Sequence, residues 1–265
     1  MNSQIRERAI FISVIASIVI FGLFFAAGML VLVLQISPTA VYEVVNIFRF
    51  VFTVPCIITL GYVLQRNGFR FALRLKGLGK CLLAAFAILL LGALLIFSLK
   101  DMQLGAVQLF VILPYIAHQI GVGLFEESLF RGLLMTAMLV KWGDTAQGRL
   151  AVALLSGVLF GTCHIINMFF NGSSLQFTLF NLVVAAALGF GFAAMYVYSR
   201  NLLGCMIVHA VYDFIANLSS QLPNRLVLLV ILGLISLFAI VLCIVAKPFC
   251  VGVIPLRKKE LKAQE

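Results

Sequence analysis

The stretch Glu126-Glu127-Ser128-Leu129-Phe130-Arg131-Gly132 sets three ionisable side chains inside roughly 37 residues, Leu104 to Val140, that otherwise carry no formal charge. On insertion scales an Asp or Arg at the centre of a membrane helix costs about 2.5–3.5 kcal/mol, so three unpaired groups would cost on the order of 8–10 kcal/mol. That approaches the whole stability of an ordinary domain. On a helix Glu127 and Arg131 are four residues apart and share a face, so they can pair, whereas Glu126 points about 100° away and needs another partner. One carboxylate is then structural and the other is available for acid–base work. The alternative is a buried ion-pair cluster that only braces helices together.

Two of the three histidines lie in settings that can meet these carboxylates. Phe160-Gly161-Thr162-Cys163-His164 and His209-Ala210-Val211-Tyr212-Asp213 each pair two residues four apart, on one helical face. Counted from the nearest basic residue, Lys141 to Glu126 is 15 residues, Arg149 to His164 is 15 and Arg200 to Asp213 is 13. These are depths of about 20–22 Å, with His209 shallower at about 13 Å. Such groups suit two chemistries. Glu126 and His164 can position and deprotonate a water while His209 and Asp213 stabilise an oxyanion. Alternatively His164, His209, Asp213 and Glu126 can bind a divalent metal such as zinc, which lowers the pKa of its water. No H-E-x-x-H occurs, so metal ligands would come from separate helices. A rhomboid-type G-x-S-G is absent, since Leu154-Leu155-Ser156-Gly157 lacks the first Gly. Gly189-Phe190-Gly191-Phe192 lacks the second Asp of a presenilin-type pair. Cys205, four before His209, reads as a core thiol.

The elements that must carry these residues are membrane helices. With 63% hydrophobic and 11% charged residues, the chain falls outside soluble averages. Continuous apolar runs at 9–34, 41–64, 81–99, 104–140, 150–170, 176–199, 202–219 and 226–246 predict an all-α polytopic membrane protein with about eight transmembrane helices. The first run is too long for a signal-peptide core. Fifteen basic residues fall on one side: Arg6, Arg8, Arg66, Arg70, Arg74, Lys76, Lys80, Lys141, Arg149, Arg200, Lys247, Arg257, Lys258, Lys259 and Lys262. Only Lys100 and Arg225 fall on the other, which predicts both termini inside. A net charge of +10 therefore reports topology, and no nucleic-acid partner is implied. The fourth run is too long for one straight crossing, and Pro114, Gly121 and Gly123 predict a kink, break or steep tilt just ahead of the carboxylates. Six scattered cysteines without C-x-x-C argue against a disulfide framework or zinc knuckle. The 24 phenylalanines read as lipid-facing or packing residues.

With these motifs in place, the chain resembles the CPBP family of intramembrane proteases, the Abi or CAAX-protease-like family. Its ordered motifs E-E-x-x-x-R, F-x-x-x-H and H-x-x-x-N/D appear as Glu126-Glu127-x-x-x-Arg131, Phe160-x-x-x-His164 and His209-x-x-x-Asp213. The resemblance covers about residues 100–220. It implies peptide-bond hydrolysis within the membrane: Glu126 as general base, His164 as its partner on the water, and His209 with Asp213 as the oxyanion-stabilising or ligand pair. Glu127 and Arg131 resemble the supporting ion pair, and Asp213 stands where prenyl-protein proteases of the family carry Asn.

The resulting organisation is 1–99 for helices 1–3, 100–220 for a catalytic core of helices 4–7, and 221–265 for the last helix and a basic tail. Asn167, three residues after His164, reads as a supporting residue, and His118 lies about 12 Å from Glu126 along an unbroken helix. Arg49 reads as contacting another helix or lining the cavity. The expected activity is an intramembrane endopeptidase acting on a membrane-embedded or lipidated peptide, in the lipid bilayer of a bacterial cell membrane. The rival reading is a non-proteolytic membrane protein, an ion or proton carrier or a bacteriocin-immunity scaffold, built on the same cluster.

Overall fold

The computed structural model describes residues 3–34, 38–66, 69–70, 75, 77–97, 109–166, 174–218, 225–249 and 254–255. The helices are α1 (Ser3–Val33), α2 (Pro38–Arg66), α3 (Leu78–Phe97), α4 (Leu109–Glu127), α5 (Thr136–Trp142), α6 (Ala146–Cys163), α7 (Leu175–Ser199), α8 (Leu202–Leu218) and α9 (Arg225–Val245). A π-helical segment, Ser128–Met135, joins α4 to α5 in one continuous rod, so eight helical rods coincide with the eight apolar runs. Among the described residues five stretches are long and apolar enough to cross a membrane: Glu7–Val31, Glu43–Gln65, Ala146–Ile166, Leu175–Ser199 and Leu226–Val245. Leu202–Ala216 is a shorter apolar helix. The protein is an all-α polytopic membrane protein. One short antiparallel pairing, Phe69–Arg70 with Ile254–Pro255, is its described extended structure.

Large apolar side chains such as Phe11, Ile18, Leu83, Phe86, Leu226 and Leu237 are exposed on the outside of the bundle, while Glu127, Arg131, Ser128, Thr136 and His209 are buried inside it. Water would penalise that outer surface; lipid does not. Polar groups gather inside because hydrocarbon offers them no hydrogen bonds.

Helix ends follow local chemistry. Thr145 caps α6, its hydroxyl accepting from the Gly148 amide at 3.0 Å, and Ser174 caps α7 by accepting from Phe177 at 3.3 Å. At one end of the bundle Lys141 reaches Glu7 (3.5 Å), Arg149 donates to the Cys243 carbonyl (3.0 Å) and Arg200 donates to the Lys247 carbonyl (2.7 Å). Residues from three basic clusters of the sequence, and Glu7 beside Arg6 and Arg8, thus share one end.

The tightest helix pair is α6 with α7. A Cβ on Gly157 would lie 2.7 Å from the Phe190 amide nitrogen, and one on Gly161 would lie 2.7 Å from the Leu182 carbonyl oxygen. This Gly-x-x-x-Gly face lets two backbones touch, the usual packing device where lipid supplies no hydrophobic drive.

The fourth run departs from expectation. The helix runs unbroken through Pro114, Gly121 and Gly123, and the change of hydrogen-bonding register comes after the carboxylates, in Ser128–Met135. Pro114 sits in the second turn of α4, where the bond it removes is near the helix start. Most residues of the π segment are buried, and the Thr136 hydroxyl donates to the Arg131 carbonyl at 2.9 Å beside it. The fifth run also stops early: α6 ends at Cys163, and His164 opens a 3-10 turn to Ile166.

Candidate active site

The site begins where α4 meets α8. A Cβ on Gly123 would stand 2.6 Å from the Met206 carbonyl oxygen and 3.0 Å from the Ala210 nitrogen, so only glycine admits this approach. One turn further on, Glu126 and Glu127 face His209. Glu127 Oε1 accepts from His209 Nδ1 at 2.8 Å and from Arg131 Nη1 at 2.8 Å. Both Glu127 and Arg131 side chains are 0% exposed. The pair is monodentate: Glu127 Oε2 and Arg131 Nε have no hydrogen-bond partner.

The other face of the same imidazole meets the remaining carboxylates. His209 Nε2 lies 3.4 Å from Asp213 Oδ2 and 3.7 Å from Glu126 Oε2. Glu126 keeps 24% of its side chain exposed and Asp213 22%, against 0% for Glu127. The two adjacent glutamates are thus sorted by environment, one sealed in an ion pair and one part-exposed.

Aromatic rings hold this arrangement. Phe192 of α7 stacks on His209 with centroids 4.7 Å apart and planes 16° from parallel, and Phe160 presents an edge at 5.8 Å. The Arg131 guanidinium lies over both rings, 4.6 Å from Phe160 and 5.5 Å from Phe192, and donates from Nη2 to the Gly189 carbonyl at 2.8 Å. A cation between ring faces, carboxylate and carbonyl is solvated by protein in place of water.

Glu126, Glu127, Arg131, His209, Asp213 and Phe160 converge. His164 adjoins them through Phe160, whose ring is 5.0 Å from it, and its Nδ1 hydrogen-bonds the Phe160 carbonyl at 3.0 Å. Because a carbonyl only accepts, Nδ1 carries the hydrogen and Nε2 is left with its lone pair. Asn167 lies outside the described residues. His209, counted as shallower than Glu126, nonetheless reaches it side chain to side chain. His118 of α4 is engaged by Arg49 of α2, whose Nη1 is 2.9 Å from Nε2 and 3.1 Å from Nδ1.

Among the described residues no group of three His, Cys, Asp or Glu side chains is arranged to hold a metal ion. His209 Nδ1 is engaged by Glu127 and His164 Nδ1 by the Phe160 carbonyl, which leaves Nε2 of each ring as the nitrogen that could reach a metal. Ser156 is fully buried without a hydrogen-bond partner, and Cys205 is buried with its thiol against Cys81.

Phe192 and the Gly189 carbonyl escaped the sequence reading. Gly189-Phe190-Gly191-Phe192 carries no ionisable residue, and phenylalanine is read as a lipid-facing type in so Phe-rich a chain. The trace it left is the pair of small residues that lets a backbone carbonyl and a ring come close to an arginine.

The structure is an all-α membrane bundle that encloses a carboxylate–imidazole–guanidinium cluster. Residues 107–215, which hold all the converging side chains, match the family model described as Type II CAAX prenyl endopeptidase Rce1-like. The family is one of proteases. No curated protein and no solved structure matches the chain.

Proposed function

We propose that the protein is an intramembrane endopeptidase in which Glu126 is the general base. The supporting observation is the sorting of the two glutamates: Glu127 is fully buried against Arg131 and His209, while Glu126 is part-exposed with His209 Nε2 at 3.7 Å. Glu126 takes a proton from a water that His164 Nε2 also orients by accepting its second hydrogen. The hydroxide attacks the scissile carbonyl carbon, and the new oxyanion accepts from His209 Nε2–H, whose Nδ1–H is anchored on Glu127. Glu126 then returns its proton to the amine as the C–N bond breaks, so atoms and protons balance. Asp213 holds the Nε2 side of the imidazole and Arg131 holds Glu127.

The substrate in this reading is a membrane-associated peptide, with a lipidated C-terminal peptide suggested by the CAAX description of the matched family. The basic end of the bundle faces the cytoplasm of a bacterial cell, both termini inside. A resident zinc on His164, His209, Asp213 and Glu126 is the alternative chemistry for these residues, and no step here uses one.

Glu126→Gln in purified, folded protein should lower the cleavage rate of a membrane peptide about 10²–10⁴-fold, the range for a lost general base. Product masses would locate the cut. Wild-type rates from the Gln variant would refute the mechanism, and ion or proton flux without cleavage would favour the carrier reading.

A further inference from the structure

We infer that Tyr196 of α7, acting through Thr136, is a positioning residue for catalysis: it holds the rod in the π register that sets Arg131, and with it Glu127, against His209. The inference rests on the endopeptidase reading above and adds two residues which that reading does not use.

One hydroxyl marks the register. In an α-helix a serine or threonine side chain that turns back on its own helix reaches the carbonyl three or four residues earlier. Thr53, Ser128, Thr178 and Ser236 do so at four, and Thr162 does so at three. Thr136 instead donates to the carbonyl of Arg131, five residues earlier, at 2.9 Å. Five is the spacing of a π turn, and Thr136 directly follows the π segment Ser128–Met135. Its hydroxyl is also held from another helix, with Oγ1 2.8 Å from Tyr196 Oη. Because a carbonyl accepts and never donates, the single hydroxyl hydrogen of Thr136 goes to Arg131, and Thr136 accepts from Tyr196. The relay therefore runs one way, from Tyr196 to Thr136 to the Arg131 carbonyl, through residues that are all buried.

This fixes Arg131 at both ends on one helix. Its Nη2 donates to the Gly189 carbonyl of α7 at 2.8 Å, and its own carbonyl is held through Thr136 by Tyr196, seven residues further along α7. Gly189, Phe192 and Tyr196 share one face of α7 by their spacing, and Phe192 is the ring stacked on His209. One stripe thus locates the guanidinium, the π turn and the imidazole together. A π turn holds about one residue more than α geometry needs, so relaxing it would turn Glu127 by about 100° and shift it about 1.5 Å relative to the residues beyond. Glu127 Oε1 could not then keep both Arg131 and His209, each now 2.8 Å away. The imidazole that meets the oxyanion would lose its anchor.

The test uses the full protein in proteoliposomes with an anchored synthetic peptide that the wild type cleaves. Rates are taken per folded molecule, with the folded fraction read from thermal unfolding. Tyr196→Phe should lower kcat about 3- to 10-fold with KM within about twofold, the size of one lost hydrogen bond felt in the transition state. Thr136→Val should lower kcat about 10- to 100-fold, because it strands both the Arg131 carbonyl and the Tyr196 hydroxyl. Thr136→Ser keeps the hydroxyl and should stay within a few-fold of wild type. The double variant, Tyr196→Phe with Thr136→Val, should be no slower than Thr136→Val alone, since both act through one relay. Wild-type kcat in folded Tyr196→Phe and Thr136→Val would overturn the inference while leaving the protease standing. So would losses that multiply in the double variant, or a Thr136→Ser protein as slow as Thr136→Val. Reduced folded yield with normal kcat per folded molecule would also overturn it, assigning the pair to packing. If Thr136→Val does not fold, Tyr196→Phe against Thr136→Ser decides; if no variant folds, the role is structural and the inference fails. No peptide cleaved by the wild type, with a control protease active in the same vesicles, would overturn the endopeptidase reading and this inference with it.

Discussion

Arg131→Met tests the premise that one glutamate is structural. The side chain is fully buried, donates to Glu127 Oε1 and to the Gly189 carbonyl at 2.8 Å each, and lies 4.6 Å over the Phe160 ring. Methionine fills similar volume but leaves the Glu127 carboxylate with only His209 as partner. Breaking a buried pair by removing one member costs about 3–5 kcal/mol. For a chain of this size that corresponds to a fall in Tm of roughly 10 °C. Glu127→Gln should cost less, about 1–3 kcal/mol, because its amide oxygen can still accept from Arg131 while no buried charge of its own remains. The assay is thermal unfolding of purified protein in detergent, read by accessibility of buried cysteine thiols, with membrane yield as a second readout. Unchanged Tm and normal accumulation of Arg131→Met would refute the ion-pair assignment and return Glu127 to the list of possible bases.

Further predictions concern the positioning elements. Gly123→Ala places a methyl group 2.6 Å from the Met206 carbonyl, so α4 and α8 must separate; activity should fall at least tenfold with a loss of about 1–3 kcal/mol, checked by kinetics and unfolding. Phe192→Ala removes the ring stacked on His209 and should cost about 3–5 kcal/mol, whereas Phe192→Leu should retain most stability but lower kcat, because imidazole orientation loosens. Asp213→Asn should keep activity within about tenfold, since the H-x-x-x-N/D motif admits either residue and the amide oxygen can still accept from Nε2. Loss of activity in that variant, with metal found by mass spectrometry and restoration by added zinc, would move the mechanism to a metal centre.

Residue chemistry and periodicity were enough to read the membrane helices, the Glu127–Arg131 pair and the split between two adjacent glutamates. These follow from local rules: an apolar run must be helical in lipid, and residues four apart share a face whatever surrounds them. The asymmetry of basic residues likewise anticipated which ends share one side of the bundle. Which helix faces which was not local. That His209 hydrogen-bonds Glu127 as well as approaching Glu126, that His164 falls at a helix end, that the rod changes register after the carboxylates, and that Phe192 lies beneath the imidazole all depend on where two backbones can approach. Gly123 sets that approach for α4 and α8, and Gly157 with Gly161 sets it for α6 and α7. A glycine in a sequence announces room, but only the packed neighbour decides which backbone takes it and therefore which side chains meet.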